Sequence, residues 1–345
     1  MPHRFMTLRE IRRAAKTILP PGPWAFGAGG AETETTRRRN RRALKRLAIR
    51  QRVLRDVRHI DISTTFLGLE LPTPFAIAPM GGLVLFHPEG DLEMVRGASP
   101  SRNLAFVSGV TGWPVEDLTQ AARGPLIYQL YWSGPRSWCQ DLLARVEASG
   151  YHAVCLTVDV QTYSRRERDV ELRFDPQRAR TIAPNEQPPE FDYQTRLTWD
   201  DVAWLKSILS VPLGLKGILT PEDAKLAVEV GAEIIWVSNH GGRQLDSTLA
   251  TIDALPDIVE AVGGRAQIVI DGGFRRGTDI IKALALGANL VAMGRPMLWG
   301  LAADGAAGVH RTIELFRDEL ETNLALCGQT SVRTLEPNLV RPVVY

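Results

Sequence analysis

Cysteine is scarce: Cys139, Cys155 and Cys327 are the only three in 345 residues. An odd count excludes a fully paired disulfide framework, and the spacings match no metal-ligand motif. Cys155 lies in an apolar run and reads as a small core residue. This usage points to a reducing compartment, so the chain is read as cytoplasmic. No apolar run is long enough to cross a bilayer. Arg12, Arg13 and Lys16 interrupt the early apolar residues, which excludes a signal-peptide core there. Net charge is small as well, +2 over the chain, so no global field draws the molecule to nucleic acid or a membrane. The basic residues that do cluster, Arg37 to Arg42, read as the solvated face of a helix or a subunit contact. Internal repeats and low-complexity tails are missing too, which excludes a solenoid.

What is present is a rhythm. Residues 1–70 read as helical and polar, with a break at Leu19-Pro20-Pro21-Gly22-Pro23. From Pro72, short apolar or β-branched runs alternate with longer amphipathic ones, the pattern of βαβ units and a parallel sheet. Eight strands are predicted, at Phe75–Ala78, Leu104–Val107, Leu126–Gln129, Ala153–Val158, Leu213–Lys216, Ile234–Val237, Ile268–Ile270 and Leu290–Met293. Pro221–Val230 and Thr278–Leu286 read as helices between them. Eight strands favour a TIM (β/α)8 barrel over a doubly wound sheet. The domain reading is one unit over 1–345: a helical segment (1–70), a barrel (72–325) and, after the fourth strand, a long Pro-rich loop (173–198) read as an active-site lid.

Barrel enzymes place their chemistry where strands end. Here the strand ends carry Pro79-Met80-Gly81, Ser108, Gln129 and Tyr131, Thr157 and Asp159, Lys216, Ser238-Asn239-His240, Asp271-Gly272-Gly273 and Gly294-Arg295. Polar residues follow strands wherever loops begin, which accounts for one or two of these. It accounts poorly for Lys216 at the close of an apolar run, or for a histidine, a lysine and two aspartates at one rim. The last two strand ends read as a phosphate site. Their glycines let backbone N–H groups approach an anion, Arg275 and Arg295 add charge, and a helix starting near Thr278 adds its positive end.

The run Ser238-Asn239-His240-Gly241-Gly242-Arg243-Gln244-Leu245-Asp246 resembles the signature of the FMN-dependent 2-hydroxy-acid oxidase and dehydrogenase family, which includes glycolate oxidase, lactate oxidase, the mandelate dehydrogenases and hydroxymandelate oxidase. Supporting blocks run along nearly the whole chain, among them His87-Pro88-Glu89-Gly90, Tyr128-Gln129-Leu130-Tyr131, Arg165-Arg166-Glu167, Leu215-Lys216-Gly217 and Asp271-Gly272-Gly273-Phe274-Arg275. The resemblance implies FMN as cofactor and a 2-hydroxy acid as substrate. It implies His240 as the base, whether the C–H bond breaks to a carbanion or by hydride transfer, and Asp159 as the carboxylate that holds it. It implies that Arg243 and Arg166 grip the substrate carboxylate and that Tyr131 hydrogen-bonds the substrate. Lys216 is implied beside flavin N1. Pro79, Met80, Gly81, Ser108, Gln129, Thr157 and Ser238 would line the isoalloxazine ring, and Asp271, Gly273, Arg275, Gly294 and Arg295 the ribityl phosphate. Oxygen, a quinone or a redox protein would take the electrons, and a homotetramer is the implied assembly.

The chain departs from the glycolate-oxidase pattern at four positions. Phe26 stands for a substrate-binding tyrosine, Val110 for tryptophan, Gly81 for alanine and Met80 for threonine. The first two make a more apolar and wider pocket that favours a bulky or aromatic acid such as mandelate; the alternative reading is that both are neutral repacking. Two other readings stand beside this one: a flavoenzyme of the same fold acting on a peptide or amine, against which the two arginines speak, and a non-catalytic flavin- or phosphate-binding barrel, against which His240, Asp159 and Lys216 speak.

Overall fold

The computed structural model describes residues 4–176 and 193–343. Three helices open it: α1 (Leu8–Ile18), α2 (Pro21–Ala28) and α3 (Thr35–Lys45). Helical structure ends there, short of the expected residue 70. A short strand β1 (Leu47–Ile49) follows, then an extended stretch and a hairpin of β2 (Thr64–Phe66) and β3 (Leu69–Leu71). The hairpin turns through Leu67 and Gly68, both at positive φ (50° and 75°), the backbone that a two-residue turn between twisted strands requires.

Eight parallel strands then close a barrel: β4 (Phe75–Ile77), β5 (Ala105–Ser108), β6 (Leu126–Leu130), β7 (Val154–Thr157), β8 (Leu213–Ile218), β9 (Ile234–Val237), β10 (Gln267–Ile270) and β11 (Leu290–Met293). Each pairs with the next, and β11 pairs with β4 to complete the ring. The (β/α)8 reading and all eight strands are borne out. One boundary matters: β8 runs past Lys216 to Ile218, and its register against β9 shifts between those two residues. Lys216 therefore sits inside a bulged strand rather than at its end.

The connecting helices are α4 (Gly90–Ala98), α5 (Val115–Ala121), α6 (Arg136–Ala148), α7 (Glu167–Glu171), α8 (Tyr193–Arg196), α9 (Trp199–Ile208), α10 (Pro221–Glu229), α11 (Thr251–Val262), α12 (Gly277–Ala285) and α13 (Arg295–Leu326). The backbone of α13 leaves helical geometry at Asp304 and Gly305, which kinks it. A last strand, β12 (Val340–Pro342), pairs antiparallel with β1. Residues 177–192 of the expected lid lie outside the described residues.

Side chains alternate across each strand, so every second residue points into the barrel. Ala76, Phe106, Ile127, Cys155, Trp236, Val269 and Ala292 form one buried interior cluster, into which Phe66 and Leu71 of the hairpin pack from below. Phe106 and Trp236 fill its middle with ring centroids 4.4 Å apart. The intervening residues, such as Phe75, Ile77, Val107 and Val237, face the helices and join the outer core. Two residues above the interior layer the alternation reaches Ser108, Gln129, Thr157, Ser238, Asp271 and Gly294. The polar rim is thus the next inward layer of the same barrel.

Candidate active site

The residues expected to act on substrate converge at that rim. His240 follows β9 in left-handed backbone (φ 56°), with Gly241 and Gly242 also at positive φ. A histidine in this region is strained, at a cost of order 1 kcal/mol. The Ser238 hydroxyl steadies it by accepting from the His240 backbone N–H at 3.0 Å. The imidazole Nδ1 is 3.0 Å from Asp159 Oδ1. Burial raises the Asp159 pKa, but Lys216 and His240 outweigh it and hold the carboxyl below its ordinary value. An ionised carboxylate only accepts, so Nδ1 carries the proton and Nε2 is left as the free base. Burial, then Lys216, push the imidazole down to about 4, against the pull of Asp159. His240 is therefore neutral at pH 7. Lys216 Nζ is 3.3 Å from Nδ1; with both groups carrying protons this is proximity rather than a hydrogen bond. Burial opposes the charge on Lys216, yet Asp159 and Asp271 win and raise its pKa. Tyr131 Oη lies 3.5 Å from Nε2, and burial keeps the phenol protonated.

The strand bulge explains how Asp159 gets close. Gly217 has φ 120°, and a Cβ there would sit 2.6 Å from Asp159 Cβ. Gln244 completes the support, its amide donating to the carbonyls of Asp159 (3.2 Å) and Thr162 (2.9 Å).

Arg243, Arg166, Phe26 and Val110 line the same cavity as Tyr131 and His240. The Arg243 guanidinium lies 4.7 Å from the Phe26 ring centre and donates to the carbonyls of Phe26 and Gly29. Burial, then Arg166 and Arg295, push its pKa well down. A guanidinium stays charged even so, and this crowding of buried cations is what an incoming carboxylate would relieve. Gly81 abuts Val110: a Cβ at 81 would stand 2.9 Å from Val110 Cβ.

The cavity continues to Pro79, Met80, Gly81, Lys216, Asp271, Gly273, Arg275, Gly294 and Arg295, all expected cofactor contacts. Ser108, Gln129, Thr157 and Ser238 lie fully buried just beneath. Two of them test the fit of a flavin. Gln129 Nε2 and Thr157 Oγ1 are buried without a hydrogen-bond partner among the described residues, an arrangement that costs ~1–3 kcal/mol per atom until a polar ring edge meets it. Ser238 instead donates to the Asp271 carboxylate at 2.9 Å. Burial raises that carboxylate to about 6.

The anion end holds two corrections. The helix start expected to face phosphate does not: the backbone N–H groups of Arg275 and Arg276 donate to Asp279 (3.0 and 3.1 Å), and that of Gly277 to Glu319 (2.9 Å). The open start beside the cavity is that of α13, which has no side-chain cap. Nor is the basic run simply a solvated face. Arg37 and Asn40 of α3 line the cavity. Arg41 is paired with Asp279 at 2.5 Å. Burial and then Arg41, Arg12 and Arg37 lower the pKa of Arg275, while burial, Arg37 and Arg275 take Arg295 to about 9. Such mutual repulsion among cations is the electrostatic mark of an anion site, and the residues present fit FMN.

Sequence reasoning missed Arg37, Asn40, Tyr163 and Gln194. One signal for α3 was in the signature itself. Asp246 accepts from the backbone of Thr35 (3.0 Å) and Thr36 (2.7 Å) and from the Thr33 hydroxyl (2.9 Å), so it caps α3 from across the chain. Burial opposes its charge, but backbone bonds from Thr36, Thr35 and Ser247 and the Thr33 hydroxyl bring its pKa to about 2. Asn239 exchanges two 2.8 Å hydrogen bonds with Asn40, and a Cβ at Gly242 would be 2.5 Å from the Arg37 nitrogen. The nine-residue run thus builds the base and docks the helix that borders the anion site.

Comparison with known proteins agrees. The family described as FMN-dependent dehydrogenase matches residues 15–342. A peroxisomal (S)-2-hydroxy-acid oxidase of Oryza sativa subsp. japonica is 42% identical over 95% of this chain and 93% of its own. An L-lactate oxidase of a Nostoc strain is 40% identical over 97% and 98%. Among solved structures, a mandelate oxidase variant with (S)-mandelic acid superposes with TM-score 0.93 and 36% identity over 99% of this chain and all, 100%, of that one. A soluble mutant of the membrane-associated (S)-mandelate dehydrogenase from Pseudomonas putida gives 0.92 and 30% over 99% and 100%. With its barrel, its base cluster and its cation-lined cradle, the chain belongs to the FMN-dependent dehydrogenase family, and FMN is its cofactor.

Proposed function

We propose that this protein oxidises a 2-hydroxy acid to the 2-oxo acid, with a preference for a bulky or aromatic side chain. The observation that carries the reading is the neutral His240, held by Asp159 at 3.0 Å, in one cavity with Arg243 and Arg166. Arg243 and Arg166 bind the carboxylate, a two-pronged task suited to guanidinium. Tyr131 orients the substrate hydroxyl. His240 Nε2 takes up the proton released as the alcohol is oxidised, and Asp159 stabilises the imidazolium so formed. Bound FMN supplies the acceptor for the two electrons. Lys216 would supply positive charge to a reduced flavin, and Gln129 and Thr157 would offer their unpartnered polar atoms to its ring. Arg37, Arg275, Arg295 and the start of α13 would hold its phosphate.

The side-chain preference rests on Phe26, Leu83, Phe86 and Val110, apolar groups lining the cavity. It accords with the relative solved with (S)-mandelic acid, whereas other relatives are named for lactate or for (S)-2-hydroxy acids generally. The experiment is anaerobic flavin bleaching over a panel of glycolate, lactate and both mandelate enantiomers. Bleaching fastest with one mandelate is expected. Bleaching by none of them would sink the reading, and a preference for glycolate would sink its aromatic part. Oxygen and quinone reoxidation rates then identify the electron acceptor.

A further inference from the structure

Arg166 is packed between two aromatic rings. Its guanidinium carbon lies 5.5 Å from the Phe26 ring centre and 4.4 Å from that of Tyr163. Arg243 approaches the same Phe26 ring at 4.7 Å. The four side chains make a ladder, Arg243, Phe26, Arg166 and Tyr163, in which cations and ring faces alternate. Such contacts contribute most where water is excluded, and Arg166 is buried to 8% exposure. Its Nη1 donates to the Tyr163 hydroxyl at 2.7 Å, while its Nε has no partner among the described residues. Asp169 is the nearby acid; burial raises its pKa, with Arg243 and then Arg166 opposing.

The loop carrying Tyr163 is pinned on both sides. Gln244 donates to the Thr162 carbonyl at 2.9 Å, and the Ser164 hydroxyl donates to the Arg243 carbonyl. Tyr163 itself is 42% exposed and lines the cavity. Position 26 meanwhile offers a ring without a hydroxyl.

We propose that Tyr163 is a positioning residue that sets the orientation of Arg166 and thereby the affinity of the site for the substrate carboxylate. Its ring and hydroxyl hold Arg166 on the side away from Phe26, so the wall at position 26 stays apolar while the arginine keeps a fixed geometry. This rests on the 2-hydroxy-acid reading above.

The test compares Tyr163→Leu and Tyr163→Phe with the unsubstituted holoprotein. Phenylacetate, which carries a carboxylate and cannot be oxidised at a hydroxyl, is titrated against the flavin absorbance, and KM and kcat are measured with mandelate. Removing ring and hydroxyl should weaken phenylacetate binding and raise KM by about tenfold, with kcat within about twofold. Tyr163→Phe keeps the ring and should recover part of the loss, and it carries the test alone if the leucine variant does not retain FMN. A role only in folding would lower thermal stability without this split between KM and kcat. If the unsubstituted protein binds phenylacetate and Tyr163→Phe and Tyr163→Leu bind it equally well, the proposal for Tyr163 is overturned on its own. If the unsubstituted protein neither binds phenylacetate nor bleaches, the carboxylate reading of the site falls and takes this proposal with it.

Discussion

His240 Nδ1 and Asp159 Oδ1 lie 3.0 Å apart, and because Asp159 is held ionised, that contact decides which imidazole nitrogen is the base. Asp159→Asn keeps the shape and removes the charge that stabilises the imidazolium. We expect kcat to fall by ~10²-fold or more, with FMN still bound. Stopped-flow flavin reduction measures this, and a rate within threefold of the parent would refute the assignment.

The same pair sets a pH dependence. The His240 pKa is depressed to about 4 from its usual 6.5, first by burial and then by Lys216. The active base is the neutral form, so kcat/KM should hold its plateau below pH 6.5 and drop only on approach to 4. Stability follows the same sign. Between 6.5 and about 4 the unfolded chain binds a proton that the folded site refuses, so this group destabilises the fold as pH falls through that window. An acid limb centred at 6.5 would show that burial and Lys216 do not depress His240 in the working enzyme.

Lys216 is the positive partner of two buried carboxylates, Asp159 and Asp271. Lys216→Met leaves both without that partner, which is strongly unfavourable in a buried site. Flavin reduction should slow by roughly 10²-fold, and the fraction of protein purified with FMN should drop. Unchanged reduction would remove Lys216 from the chemistry.

Asp246 touches neither His240 nor the cavity, yet it caps α3. Asp246→Ala should cost ~1–2 kcal/mol through the lost cap and weaken FMN retention, because Arg37 and Asn40 ride on that helix. Equilibrium dialysis of FMN against the variant is the check; unaltered retention would separate α3 from the cofactor site.

Gly81 and Val110 form a packed pair. Gly81→Ala should destabilise by ~1–3 kcal/mol through overpacking, and Val110→Ala should relieve most of that cost. Equal penalties in both backgrounds of a double-mutant cycle would mean that the contact carries no strain.

The barrel and most of its rim were legible because strand alternation is local. Ser108, Gln129, Thr157, Ser238 and Asp271 fall in step with the apolar residues two positions before them, and a reader of one strand at a time can find them. Lys216 was found for a partly wrong reason, since a bulge at Gly217 rather than a strand end presents it. Arg37 and Asn40 were not legible. Their role comes from the docking of a polar helix onto a distant loop, and the Arg37–Arg42 run has the same composition as a solvated face. The amides at Arg275 and Arg276 misled for a similar reason: the carboxylate that occupies them, Asp279, lies in the helix itself, where it reads as an ordinary first-turn acid.

The clasp between β1 and β12 bears on the order in which the fold comes apart. Leu47 pairs with Pro342 and Ile49 with Val340, and β1 follows directly on α3, which brings Arg37 and Asn40 to the cofactor cavity. That clasp is a second hold on this region, because Asp246 and Asn239 already fix α3 from the loop after β9. Losing the clasp would therefore free β1 while leaving Arg37 and Asn40 beside the cavity, so the cofactor end should outlast the clasp as the chain unfolds.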